Sequence, residues 1–152
     1  MKFPAKIFWR ILLVVYLAAV AYLCFASQGG LPKFDDWPFK IPADKVVHFL
    51  MFLPWPILAS LSVMPDRSSV MTGSDRASMT PDRVGGDVKI VIILLIITLI
   101  GCALAGTTEW IQGLLPYRSR DIMDFIADSL GLMTGALLFA AFYPFLRKSG
   151  TR

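Results

Sequence analysis

The chain of 152 residues is 56% hydrophobic and 17% charged, with a mean hydropathy of +0.64, whereas a soluble domain carries roughly 25% charged residues. These values exclude an ordinary soluble domain and point to a single domain, residues 1–152, in a bilayer. The net charge of +4 does not mark a nucleic-acid partner, because Lys and Arg gather beside apolar runs, where membrane topology places them.

About 20 mostly apolar residues are needed to cross roughly 30 Å of hydrocarbon. Four segments meet this: 7–26, 46–63, 88–115 and 122–146. The expected architecture is all-α, a four-transmembrane-helix bundle. The first span has a basic start, with Lys2, Lys6 and Arg10, and resembles a signal peptide in outline. No small-x-small cleavage site follows Phe25, and Leu23 precedes Cys24, so it reads as a retained span.

The second span opens with IPADKVVHF and continues as MFLPWPILAS. Pro54 and Pro56 must kink it, since each removes a helical N–H. Asp44 and His48 stand four apart and share a face, with Lys45 three residues before His48. Asp44 suits an N-cap after Pro42, and Lys45 is able to snorkel toward headgroups. Residues 64–87, rich in Ser, Asp, Arg, Gly and Pro, read as a flexible loop.

On the third span Glu109 and Gln112 share a face with Cys102, Gly106 and Gly113, a strip thin enough for a second helix to approach. Glu109 is expected either to pair with Arg118 or Arg120 or to serve a site. Pro116 breaks the following turn. On the fourth span Asp121, Asp124, Asp128, Gly131, Gly135 and Leu138 alternate in steps of three and four and trace one packing seam. Gly131 and Gly135 form a GxxxG pair, a face for another helix or for a second copy of the chain.

Asp121 and Asp124 are explained as a helix cap and a dipole partner. Asp128 is not, since it lies about 10 Å farther along the axis at 1.5 Å per residue. A carboxylate at that depth must be protonated or accompanied by a cation or water.

Counting Lys and Arg gives ten on one side: Lys2, Lys6, Arg10, Arg67, Arg76, Arg83, Lys89, Arg147, Lys148 and Arg152. Five fall on the other: Lys33, Lys40, Lys45, Arg118 and Arg120. The rule that basic loops stay inside predicts cytoplasmic termini. The polar clusters of the second, third and fourth spans then share the outer face. Cys24 and Cys102 lie in apolar runs without a CxxC, which indicates neither a disulfide nor a zinc framework.

The succession Asp44-Lys45-x-x-His48-Phe49, Thr108-Glu109-x-x-Gln112, Pro116, Arg118, Asp124 and Gly131-x-x-x-Gly135 resembles the VanZ-like membrane proteins over residues 40–138. The resemblance implies a small multi-pass protein of the bacterial cell envelope and cytoplasmic membrane. Its namesake is associated with resistance to the glycopeptide teicoplanin. It implies no proven enzymatic activity and no cofactor. Asp128 departs from the pattern, which usually has Asn there.

Three functions fit these residues. A binding protein would hold an anionic lipid or lipid-linked cell-wall intermediate, with Lys45, Arg118 and Arg120 on the phosphate and with His48, Glu109, Gln112, Asp124 and Asp128 positioning it. An enzyme acting on a lipid-linked phosphate would use His48 as base or nucleophile with Asp44 as its orienter and Glu109 exchanging protons. It lacks a recognisable nucleophile motif, and a metal held by His48, Glu109 and Asp124 requires three helices to converge, so no metal is assigned. A proton-coupled transporter component would use Glu109 and Asp128. The binding protein is preferred.

Overall fold

The computed structural model describes residues 5–26, 42–63, 82–116 and 120–149. Five helices occupy them: α1 (Ala5–Phe25), α2 (Ala43–Phe52), α3 (Pro54–Val63), α4 (Asp82–Gln112) and α5 (Ile122–Ser149). There is no strand among the described residues. Since α2 and α3 together make one apolar stretch, four segments are long and apolar enough to cross a membrane: Lys6–Phe25, Ala43–Val63, Val88–Gln112 and Ile122–Phe145.

The boundaries depart from the expected ones for local reasons. The second span starts three residues earlier, at Ala43, because Pro42 precedes the first turn and its carbonyl accepts from the Lys45 amide at 3.2 Å. Pro42 itself stands at the N-cap with no side-chain cap. Asp44 lies within the first turn instead of capping it. The third span ends at Gln112, not Leu115, because the chain tightens there: Leu114 donates to Ile111 O at 2.9 Å and Leu115 to Gln112 O at 3.1 Å. Such three-residue closures, ahead of Pro116, end a helix. Residues 82–87, expected in the flexible loop, instead extend α4; the rest of that loop lies outside the described residues.

The proline pair divides the second span at Leu53, which nevertheless keeps helical torsions of φ −57 and ψ −41 and donates to Phe49 O at 3.1 Å. Pro54 takes the first position of α3, where its missing N–H costs little. The indole of Trp55 then donates to Ile97 O at 2.9 Å, and Tyr16 donates from its phenol to Met51 O at 2.6 Å. Both bonds pin the break to neighbouring helices.

Contacts run mainly between α2 and α5, α4 and α5, and α1 and α3. The core they enclose contains Val20, Cys24, Met51, Phe52, Trp55, Ala59, Ile97, Ala105 and Leu132. Cys24 is thus a packing residue, and neither cysteine forms a disulfide. Long apolar side chains such as Val14, Leu95, Leu99, Leu137 and Phe145 remain exposed on the outside of the bundle. Exposed apolar surface of that extent suits lipid.

The tightest seam joins α2 and α3 to α5. A Cβ placed on Gly131 would collide with the Phe49 carbonyl oxygen, and one on Gly135 with that of Leu53. The glycine spacing of four on α5 matches the carbonyl spacing of four on the other span. Phe49 meets Gly131 and Leu53 meets Gly135, so the two helices run parallel. The face expected to be offered to a second copy is therefore filled within this chain, and a partner copy would have to use another.

At Gly131 or Gly135 an alanine methyl would meet backbone atoms, which cannot rotate aside. Overpacking of this kind costs about 1–3 kcal/mol. Gly106 differs, since its Cβ would meet only Phe125 Cε2 at 3.6 Å. We expect Gly131→Ala and Gly135→Ala to lower the thermal midpoint in detergent while Gly106→Ala leaves it unchanged or raises it. The reverse ranking would show that this seam does not set the packing.

Candidate functional site

The parallel seam determines what faces what. Moving from Phe49 and Gly131 toward the helix starts, His48 stands beside Asp128, and Lys45 stands beside Asp124 and Asp121. The ends of α1 and α4 and the starts of α2 and α5 meet at this level, so polar groups from different helices share one end of the bundle.

Lys45 is the hub of the outer layer. Its ammonium donates to Asp121 and to Asp124 Oδ1, the latter at 2.5 Å, and pairs with Asp44 at 3.0 Å. Three carboxylates on one ammonium give this layer a negative balance, and they place Lys45 as an internal tie. Asp121 also caps α5, its Oδ1 accepting from the Met123 amide at 2.9 Å, as an N-cap side chain does. The Lys45 ammonium, with that amide, holds the Asp121 carboxyl below the usual carboxylate range. Because the folded-state value lies below the unfolded one, the tie contributes stability at neutral pH and loses it as pH falls through the depressed value.

The inner layer is buried. His48 is 8% exposed and Asp128 fully buried, with His48 Nδ1 at 3.0 Å from Asp128 Oδ1. This answers the question Asp128 raises: its companion is the chain's single histidine. His48 Nε2 faces Asp124 Oδ2 at 3.7 Å. The residue that orients the imidazole is therefore Asp128, not Asp44, which sits in the exposed layer and pairs with Lys45. Asp128 Oδ2 is buried with no hydrogen-bond partner.

Glu109 closes the site from α4. Its Oε2 accepts from the Asp121 amide at 3.2 Å, which ties the end of α4 to the start of α5, while Oε1 is buried without a partner among the described residues. The expected alternative, an ion pair with Arg118 or Arg120, is replaced by this amide bond as far as the described residues reach; Arg118 lies outside them. Gln112 turns away from the cluster and donates to Cys24 O at 2.8 Å, joining α4 to α1.

The structure thus gathers Asp44, Lys45, His48, Glu109, Asp121, Asp124 and Asp128 in one place. Ligand atoms of His48, Glu109 and Asp124 lie within 4.8 Å of one another, which meets the convergence that a metal would require. Beside them, a cavity of about 350 Å³ between α4 and α5 is lined by Gly106, Glu109, Trp110, Arg120, Asp121, Ile122 and Phe125. Arg120 is exposed and its stem reaches over Gly113, where an added Cβ would come within 3.1 Å of its Nε. Tyr16 was not singled out by the sequence; an isolated tyrosine in an apolar run carries no signal of a partner.

A family model described as VanZ/LLP1 matches residues 8–143. No curated protein and no solved structure matches the chain.

Because Asn keeps an oxygen able to accept from His48 Nδ1–H, Asp128→Asn is expected to keep unfolding stability in detergent within about 1 kcal/mol. Asp128→Leu leaves a buried ring nitrogen unsatisfied and is expected to cost about 1–3 kcal/mol. Equal stability of the two variants would remove the His48–Asp128 bond from the account.

Proposed function

We propose, on the premise that the chain belongs to the VanZ/LLP1 family, that it binds the polar head of a phosphate-bearing lipid or lipid-linked cell-wall intermediate. The cavity between α4 and α5 carries this reading. Its lining combines the polar residues Glu109, Arg120 and Asp121 with the apolar Trp110, Ile122 and Phe125. Trp110 and Ile122 are 57% and 66% exposed, which would let an acyl or prenyl chain leave the cavity without crossing protein. A site polar at one end and apolar along its wall matches an amphiphile.

Arg120 supplies the phosphate contact through charge-assisted hydrogen bonds. Glu109 and Asp121, both acceptors, favour a head that also carries hydroxyl or amine donors. Lys45, grouped with the anion-binding residues on sequence grounds, supports the cavity indirectly, since its ammonium is already shared by three carboxylates.

The excess of Lys and Arg around the termini and central loop supports a polar end at the outer face of the bacterial cytoplasmic membrane. Any effect on teicoplanin susceptibility would follow from lipid binding at that face. The buried Asp128–His48 pair supports a second reading, an enzyme in which Asp128 orients His48 as base. Nε2 faces carboxylates and not a hydroxyl, so binding is preferred.

Charge-assisted hydrogen bonds are worth about 1.5–3 kcal/mol, and 1.4 kcal/mol is tenfold in affinity. Lipids retained through detergent purification and identified by mass spectrometry should be enriched in phosphate-bearing species relative to the bulk membrane. Arg120→Ala should lower that retention by at least about tenfold. Retained lipid with bulk composition, unchanged in Arg120→Ala, would overturn the reading.

A further inference from the structure

The cluster at the meeting of α2, α4 and α5 has features that lipid binding does not require. His48, Glu109 and Asp124 bring one ligand atom each to within 4.8 Å of the others, and His48 and Glu109 are 8% and 5% exposed. We infer that these three side chains bind one divalent first-row transition-metal ion of the Zn2+ or Mn2+ class.

Each donor has an atom left over for this. His48 engages Asp128 through Nδ1, which leaves Nε2 as the second ring nitrogen. Asp124 engages Lys45 through Oδ1, which leaves Oδ2. Glu109 keeps a buried Oε1 with no hydrogen-bond partner among the described residues, and a buried carboxylate oxygen without a partner is costly.

The one distance between two of these atoms suits a shared ion. His48 Nε2 and Asp124 Oδ2 are 3.7 Å apart, beyond hydrogen-bond length. Ligands about 2.0–2.2 Å from one metal subtend roughly 3–3.6 Å at octahedral to tetrahedral angles. A small closure of the side chains completes the geometry.

Asp128 fits the same reading. A metal-bound imidazole nearly always gives its other N–H to a carboxylate or carbonyl, which fixes the tautomer and the ring. Asp128 occupies that position from full burial. A second acidic group, Asp44, Asp121 and Asp124, also has suitable spacing, but the Lys45 ammonium is bonded to all three and takes the place of a cation there.

One imidazole and two carboxylates make a nitrogen and oxygen donor set suited to Zn2+ or Mn2+. Three protein ligands leave at least one coordination position for water or a substrate oxygen. A dication would also offset the burial of Glu109 and Asp124 at membrane depth. Glu109 lines the lipid cavity as well, so the ion would stand beside the proposed head-group site, but its binding does not rest on the lipid reading. Arg120→Ala separates the two, since it should lower lipid retention and leave the metal in place.

The test uses untagged full-length protein in detergent, stripped with chelator and equilibrated with Zn2+. Mass spectrometry of the elements should find about one Zn2+ per chain. His48→Ala and Glu109→Gln should lose it, Asp44→Asn should keep it, and Asp128→Asn should weaken binding about 10–100-fold. Zn2+ should also raise the thermal midpoint of the wild type but not of Glu109→Gln. Should the variants not fold, Mn2+ bound to the wild type should show electron-spin-echo modulation from an imidazole nitrogen, which only His48 can supply in a chain with one histidine. The inference is overturned if the wild type takes up no Zn2+, if folded His48→Ala and Glu109→Gln retain it, if Asp44→Asn loses it as they do, or if the nitrogen modulation is absent.

Discussion

The approach of two bare glycines to two backbone carbonyls sets the register on which this protein depends. Gly131 and Gly135 lie so close to Phe49 O and Leu53 O that no Cβ fits. In a membrane, where lipid is as apolar as leucine, such close backbone approach is a principal source of helix association. In the observed register Gly131 meets Phe49 O and Gly135 meets Leu53 O. A shift by a turn would move His48 from Asp128 and Lys45 from Asp124.

That alignment allows several acids to lie together near the end of an apolar bundle. An isolated carboxylate at bilayer depth is expensive, and each acid here except Asp44 is given company by another segment of the chain. Lys45 on α2 gathers Asp44, Asp121 and Asp124, His48 meets Asp128, and the Asp121 amide meets Glu109. The starts of α2 and α5 both point here, and their unsatisfied N–H groups favour negative charge. What the neighbours do not supply is a partner for Glu109 Oε1 and Asp128 Oδ2.

Much of this was legible in the sequence. Apolar length gave four membrane-crossing segments, the three-and-four spacing of Asp121 to Gly135 traced the real α5 seam, and the prolines marked the break at Leu53. The motifs of the family were enough to identify it. Pairing between helices was not legible, because spacing along one helix carries no information about what lies across from it. Asp44 and His48 share a helix face in the second span, yet the seam gives His48 to Asp128 and leaves Asp44 in the exposed layer. Gln112 shares a face with Glu109 but reaches Cys24 O across a different interface. The start of α4 was missed because Gly85 and Gly86 read as loop, whereas the backbone continues the long apolar helix through them.

One buried bond, His48 to Asp128, forms because the glycine seam aligns α2 with α5. The chain has a single histidine, so the imidazole signals in a 15N-labelled, untagged preparation belong to His48 alone. A protected Nδ1–H resonance, slow to exchange with water, is expected in the wild type and should disappear in Gly131→Ala as the alignment is lost. A solvent-averaged imidazole in the wild type, or a protected resonance unchanged by Gly131→Ala, would contradict it.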